Sequence, residues 1–137
     1  MRKISDLPLW LGHSGDANNI RLVMDTGIQA IIDLAANEKP IPMPREIIVC
    51  RFPMLDGAGN PPWLIQHAIN CATDLLRNHI ATLIYCSAGM SRTPMIAGAA
   101  VAKLKSWSLM KGIQFVVGNG PADLSPGLLN EVTSVFS

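Results

Sequence analysis

The chain has 137 residues, a formal net charge of +1, 49% hydrophobic residues and 15% charged ones. That length suits one domain spanning 1–137 with a sizeable core and leaves little for a second. The near-neutral balance gives no electrostatic case for nucleic acid or an anionic membrane as partner, and no apolar run reaches the ~18 residues of a transmembrane helix.

The first residues, Met1-Arg2-Lys3-Ile4-Ser5-Asp6, carry two basic side chains without a following apolar stretch, so they do not read as a signal peptide. Leu7 to Leu11 read as a first strand that stops at Gly12. Ser14 or Asp16 can cap a helix whose apolar stripe is Ala17, Ile20 and Met24, with Gly27 as its terminating glycine. Ile28 to Leu34 form an almost continuous apolar run, as in a strand covered on both faces. Ala35 to Pro44 hold three prolines and two charges and read as a loop, and Ile47 to Phe52 as another strand. Pro53 to Pro62 is the most punctuated stretch, a loop ending in two prolines fit for a helix start. Leu64, Ile65, Ala68, Ile69, Ala72, Leu75 and Leu76 then recur at helical spacing. Ala81 to Tyr85 form a strand, and Met95 to Leu104 are apolar nearly all round, which marks a buried helix. Ser106 can cap a further helix with Leu109, Met110, Ile113 and Val117 on one face. After a turn-rich linker, Ser125 and Pro126 read as N-cap and first residue of a last helix. Strands alternating with helices give an α/β fold with a central, mostly parallel sheet flanked by helices on both faces.

The chemistry concentrates in Ile84-Tyr85-Cys86-Ser87-Ala88-Gly89-Met90-Ser91-Arg92-Thr93. A strand reaches one cysteine; five small or neutral residues follow, then an arginine, a hydroxyl residue and an Ala-rich helix. Successive backbone N–H groups in such a loop, at Ser87, Ala88, Gly89, Met90 and Ser91, converge on an anion, and the helix dipole adds to them. Gly89 supplies the permissive φ where the loop turns. Arg92 offers a planar fork matched to two phosphate oxygens. Cys86 at the floor of this cradle sits where positive potential favours thiolate, as cations and helix N-termini do for cysteines generally. A nucleophile beneath a phosphate cradle points to phosphoryl transfer through a cysteinyl-phosphate. Three cysteines (Cys50, Cys71, Cys86), an odd number without metal-ligand spacing, argue against a disulfide framework and for a reducing cytoplasm. No metal or organic cofactor is called for.

The run Cys86 to Arg92 followed by Thr93 resembles the C-x5-R-[S/T] signature of the cysteine-based protein tyrosine phosphatase superfamily, in particular its compact dual-specificity branch. Leu9-Trp10-Leu11-Gly12-His13-Ser14-Gly15-Asp16-Ala17 resembles that branch's opening segment, and the resemblance extends over nearly the whole chain. It implies a phosphatase of the protein-tyrosine or dual-specificity type. Cys86 would be the nucleophile and Arg92 the phosphate clamp. Thr93 would hydrogen-bond the cysteine sulfur and ease its departure when water breaks the intermediate.

The expelled alkoxide or phenoxide needs a proton from a nearby acid. Among seven aspartates, Asp56 is best placed, in a loop between a core strand and the helix that feeds the Cys86 strand, 30 positions before Cys86. Its setting, Pro53-Met54-Leu55-Asp56, also resembles the family's general-acid loop; a turn aspartate bonding its own backbone is the bland alternative. Asp33 is the second candidate, and Asp16 reads as a cap. One departure stands out: Tyr85 occupies the position where the family usually has histidine, which opens the alternative of a catalytically weak phosphate-binding module. The histidines (His13, His67, His79) form no triad or ligand pattern. Trp63 and Trp107 suit core or rim positions.

Expected substrates are a phosphorylated protein or another phosphomonoester. A chain this short implies a shallow pocket, open to phosphoserine and phosphothreonine as well as phosphotyrosine. The absence of a basic residue in Ser87–Ser91 argues against polyphosphorylated lipid, and no basic surface supports an RNA 5′-phosphate. A sulfur-transfer or arsenate-reducing protein is disfavoured by Thr93 and by a loop starting as late as position 86.

Overall fold

The computed structural model describes residues 1–136. Among these residues five strands form one sheet in the order β1-β2-β5-β3-β4. They are β1 (Arg2–Lys3), β2 (Leu9–His13), β3 (Ala30–Ala35), β4 (Ile48–Met54) and β5 (Thr82–Cys86). Only the β1–β2 pair is antiparallel; β2–β5, β5–β3 and β3–β4 are parallel, so the sheet is mostly parallel and flanked by six helices. These are α1 (Ser14–Asn18), α2 (Ile20–Thr26), α3 (Pro62–Arg77), α4 (Arg92–Lys105), α5 (Leu109–Val117) and α6 (Pro126–Val135).

Side-chain alternation along the strands builds two apolar layers. Leu9, Leu11, Ile32, Leu34, Ile84 and Cys86 face a large cluster shared with Ile65, Ile69, Ile96, Ile113 and Val132 of the C-terminal helices. Ile31, Leu83 and Tyr85 face a smaller one with Ala17 and Val23 of α1 and α2. α4 is buried from Arg92 through Ala102, the all-round apolar pattern made real.

The structure departs from the sequence expectations at several points. The first strand runs on through Gly12 to His13, because it pairs with β5 over its full length, and β1 adds an unanticipated edge. The expected single helix after it is two, since the Asn19 side chain accepts from the Leu22 N–H and starts a new helix. This rotates Val23 inward and leaves Met24 exposed rather than in the stripe. Ser106 does not cap α5: it is the C-cap of α4 at φ 55°, and Ser108 caps α5 by accepting the Lys111 N–H. Met110 is consequently exposed, with Gly112 and Val116 taking the buried face alongside Leu109 and Ile113. Gly27 in the left-handed region, Pro62 in the first turn of α3 and Ser125 capping α6 stand as the sequence implies.

α4 and α5 cross backbone to backbone at Gly98 and Gly112. A Cβ on Gly98 would lie 2.6 Å from Ile113 Cα, and one on Gly112 would strike the Gly98 carbonyl. Overpacking of this kind costs about 1–3 kcal/mol. Gly112→Ala is therefore expected to lower the unfolding free energy read from urea titration by that amount, and a change within about 0.5 kcal/mol would mean the crossing relaxes freely.

At the open edge, β4 leaves Ile48 54% and Val49 47% exposed. The carboxyl ends of the parallel strands meet at one side of the sheet, where α/β folds bind ligands. No helix among the described residues is long and apolar enough to cross a membrane.

Candidate active site

Cys86 ends β5 in register with His13 and is only 2% exposed. The chain then turns through Ser87–Ser91 into α4. Gly89 adopts φ 73°, and a Cβ there would sit 2.7 Å from the Gly12 carbonyl oxygen, so glycine is required twice over. Four neighbours fix the loop from outside. Ser14 donates to the Ser87 carbonyl from its N–H (3.4 Å) and hydroxyl (3.3 Å). The Ser87 hydroxyl donates to Asn37 Oδ1 at 3.0 Å. The Asp123 N–H donates to the Met90 carbonyl at 2.8 Å, and the Ser125 N–H to Ser91 Oγ at 3.0 Å. With its hydroxyl turned to Ser125, Ser91 makes no side-chain cap on α4, which leaves the first N–H groups of that helix for another acceptor.

Arg92 is 4% exposed. One terminal nitrogen, Nη1, donates to the Met54 carbonyl (2.9 Å), Asn37 Oδ1 (3.0 Å) and the Leu34 carbonyl (3.5 Å). Its Nε is buried without a partner among the described residues. A buried charged donor left without a partner is costly, and Arg92 lines the same cavity as Cys86. The Thr93 hydroxyl is likewise buried and finds no partner among the described residues, the Cys86 sulfur included.

Cys86, Arg92, Ser87, Ala88, Met90 and Ser91 line one cavity of about 290 Å³, and Asp56, Asn37 and Asp123 complete its wall. The nucleophile, clamp and acid candidates from the sequence thus share one space. Asp33 does not join them. In register with Tyr85, it points to the other face of the sheet, where it accepts the Ala35 N–H at 2.8 Å and meets Arg51 Nε at 3.4 Å. Tyr85 packs there too. Burial, and then the charge and hydrogen bond of Asp33, push its phenol up, so it stays neutral on the side away from Cys86. Asp16 is a cap, its Oδ2 accepting the His13 N–H at 3.1 Å. Trp63 is exposed on α3, and Trp107 packs edge-on against Phe115.

Asn37 and Asp123 carried no signal in the sequence, because each reaches the site from a loop far from Cys86 in the chain. Cys50 and Cys71 are free and adjacent, and neither lines the Cys86 cavity; burial and then Cys50 push the Cys71 thiol up to about 12. Among the described residues no three His, Cys, Asp or Glu side chains converge as a metal site would need.

The fold is that of solved dual-specificity phosphatase structures. The chain is similar to human DUSP28, with 20% identity, 98% of this chain and 94% of that one covered, and a TM-score of 0.84. It is similar to DUSP15 at 23% identity, covering 98% and 85%, with a TM-score of 0.78. Human tyrosine phosphatase-like serine/threonine/tyrosine-interacting protein follows at 18% identity, covering 98% and 93%, with a TM-score of 0.77. No protein-family model and no curated protein sequence matches the chain. At these identities the likeness is one of fold.

Proposed function

We propose that the chain is one catalytic domain and a cysteine-dependent phosphomonoesterase of the dual-specificity type. The observation that carries this reading is the single cavity in which buried Cys86, the Arg92 guanidinium and the Asp56 carboxyl meet. The phosphate of a phosphorylated protein or similar monoester sits on the loop N–H groups and Arg92. Cys86 sulfur attacks phosphorus, the bond to the leaving oxygen breaks, and Asp56 gives that oxygen its proton. Water then attacks the cysteinyl-phosphate, Asp56 takes a proton back, and the thiolate and inorganic phosphate separate. In this reading Thr93, the residue after the clamp, assists departure of the sulfur, a role that requires its buried hydroxyl, unpartnered among the described residues, to turn to the sulfur during turnover. Asp56 carries the acid role better than Asp33, which faces away; Asp123, on the same wall, is its rival. Three free cysteines fit a reducing compartment such as the cytoplasm.

The test is hydrolysis of aryl phosphates without added metal. Asp56→Asn is expected to slow phenyl phosphate by about 10²–10⁴-fold, the range for general acid catalysis, and 2,4-dinitrophenyl phosphate far less. Equal slowing of both substrates removes Asp56 from the role, and the same pattern in Asp123→Asn transfers it. No turnover by the unaltered chain, with tungstate still raising its melting temperature, would favour a phosphate-binding module.

A further inference from the structure

The loop that carries Asp56 is anchored from outside. Asn60, 6% exposed, closes it internally: its amide donates to the Leu55 (3.1 Å) and Gly57 (3.0 Å) carbonyls, and its Oδ1 accepts the Leu55 N–H at 2.7 Å. The residues on either side of Asp56 are thus tied to one side chain. That side chain is held in turn by Glu131, on α6 and 71 positions away. Glu131 Oε1 accepts the Asn60 amide (3.1 Å) and N–H (3.2 Å), and Oε2 accepts the Gly59 N–H at 2.8 Å. Burial works against the charged carboxyl, yet the Gly59 N–H and the Asn60 amide and N–H hold it below the usual carboxylate range. α6 also touches the phosphate loop, since Ser125 at its start donates to Ser91 Oγ, and Gly127 lies close against Ala58. One helix therefore fixes both the acid loop and the nucleophile loop.

We infer that Glu131 is a positioning residue: through Asn60 it sets where Asp56 stands relative to Cys86. The inference rests on Asp56 being the general acid. Glu131 lies in the second turn of α6, beyond the helix start where a carboxylate would serve the dipole. All three of its bonds go to the acid loop.

The test uses the full chain with Glu131→Ala, Glu131→Gln, Asp56→Asn and the Asp56→Asn/Glu131→Ala double variant, assayed on phenyl phosphate and 2,4-dinitrophenyl phosphate. Misplacing a catalytic group by 1 Å can cost ~10²-fold. Glu131→Ala is thus expected to lower kcat/KM for phenyl phosphate by about that factor while leaving the activated ester within roughly threefold. Glu131→Gln, whose one oxygen can keep the Asn60 bonds but not the Gly59 one, should lose roughly tenfold on phenyl phosphate only. It carries the test should Glu131→Ala fail to fold. The double variant should be no slower than Asp56→Asn alone. Equal slowing of both esters, or a full additional factor in the double variant, overturns the inference. Leaving-group dependence in Asp56→Asn but in neither Glu131 variant overturns it alone; no such dependence in Asp56→Asn overturns the acid assignment, and the inference with it.

Discussion

Cys86→Ser is expected to show no turnover of p-nitrophenyl phosphate above the uncatalysed rate, while tungstate still stabilises the protein. The two readouts separate because different atoms supply them. Covalent attack needs an anionic nucleophile, and a serine hydroxyl, far less acidic than a thiol, stays protonated where the sulfur would ionise. Anion binding needs the loop N–H groups and Arg92, which a change of sulfur to oxygen on a buried side chain leaves in place. Ligand at a hundredfold excess over Kd adds about 2.7 kcal/mol to the folded state, enough to read as a shift of several degrees. Persistent turnover would remove the cysteinyl-phosphate route. Loss of both signals would mean that the sulfur itself supports the shape of the loop.

Arg92→Lys should damage two things at once. The first is the clamp: an ammonium cannot present a planar pair of donors, and losing one preorganised donor to a developing oxyanion costs about 10²–10³-fold in kcat. The second is structural. Nη1 ties the end of β3, through Leu34, to the end of β4, through Met54, with Asn37 between them. Hydrogen bonds to a charged group contribute about 1.5–3 kcal/mol, and the buried Met54 carbonyl would lose its partner. Kinetics and urea unfolding on one preparation separate the effects. Reduced stability with undiminished kcat would show that Arg92 is a strut and not a clamp.

What the sequence made legible follows from how each feature is encoded. Cys86, Gly89 and Arg92 lie within seven consecutive residues, so their relation is fixed by local backbone geometry, and the strand before and helix after were readable from periodicity. Asp56 could be placed because a single loop joins β4 to α3. Asn37, Asp123 and Glu131 could not, because each reaches the site or its acid loop from a distant segment, and no pattern in residues 36–44 or 118–131 marks that contact. The split at Asn19 was hidden for a related reason: an asparagine inside an otherwise helical pattern becomes a cap only when its side chain turns back on the following turn. Met110 misled because the apolar stripe was counted from Ser106, whereas the Gly98–Gly112 crossing puts glycine on the buried face. Tyr85 holds the position where the resemblance expects histidine, and strand alternation sends its ring through to the layer away from Cys86.

The exposed strand β4 bears on how this protein behaves in concentrated solution. The outer backbone groups of an edge strand form a template to which another extended chain can add. Here the template is short. Pro53 has no N–H to contribute, Arg51 is drawn inward to Asp33, and Pro40, Pro42 and Pro44 keep the approach to the strand from becoming a longer ladder. What remains is a two-residue apolar step at Ile48 and Val49, flanked by Arg45 and Glu46 on one side and Arg51 on the other. Charges beside a short sticky segment act as gatekeepers against ordered self-association, so this edge limits its own growth.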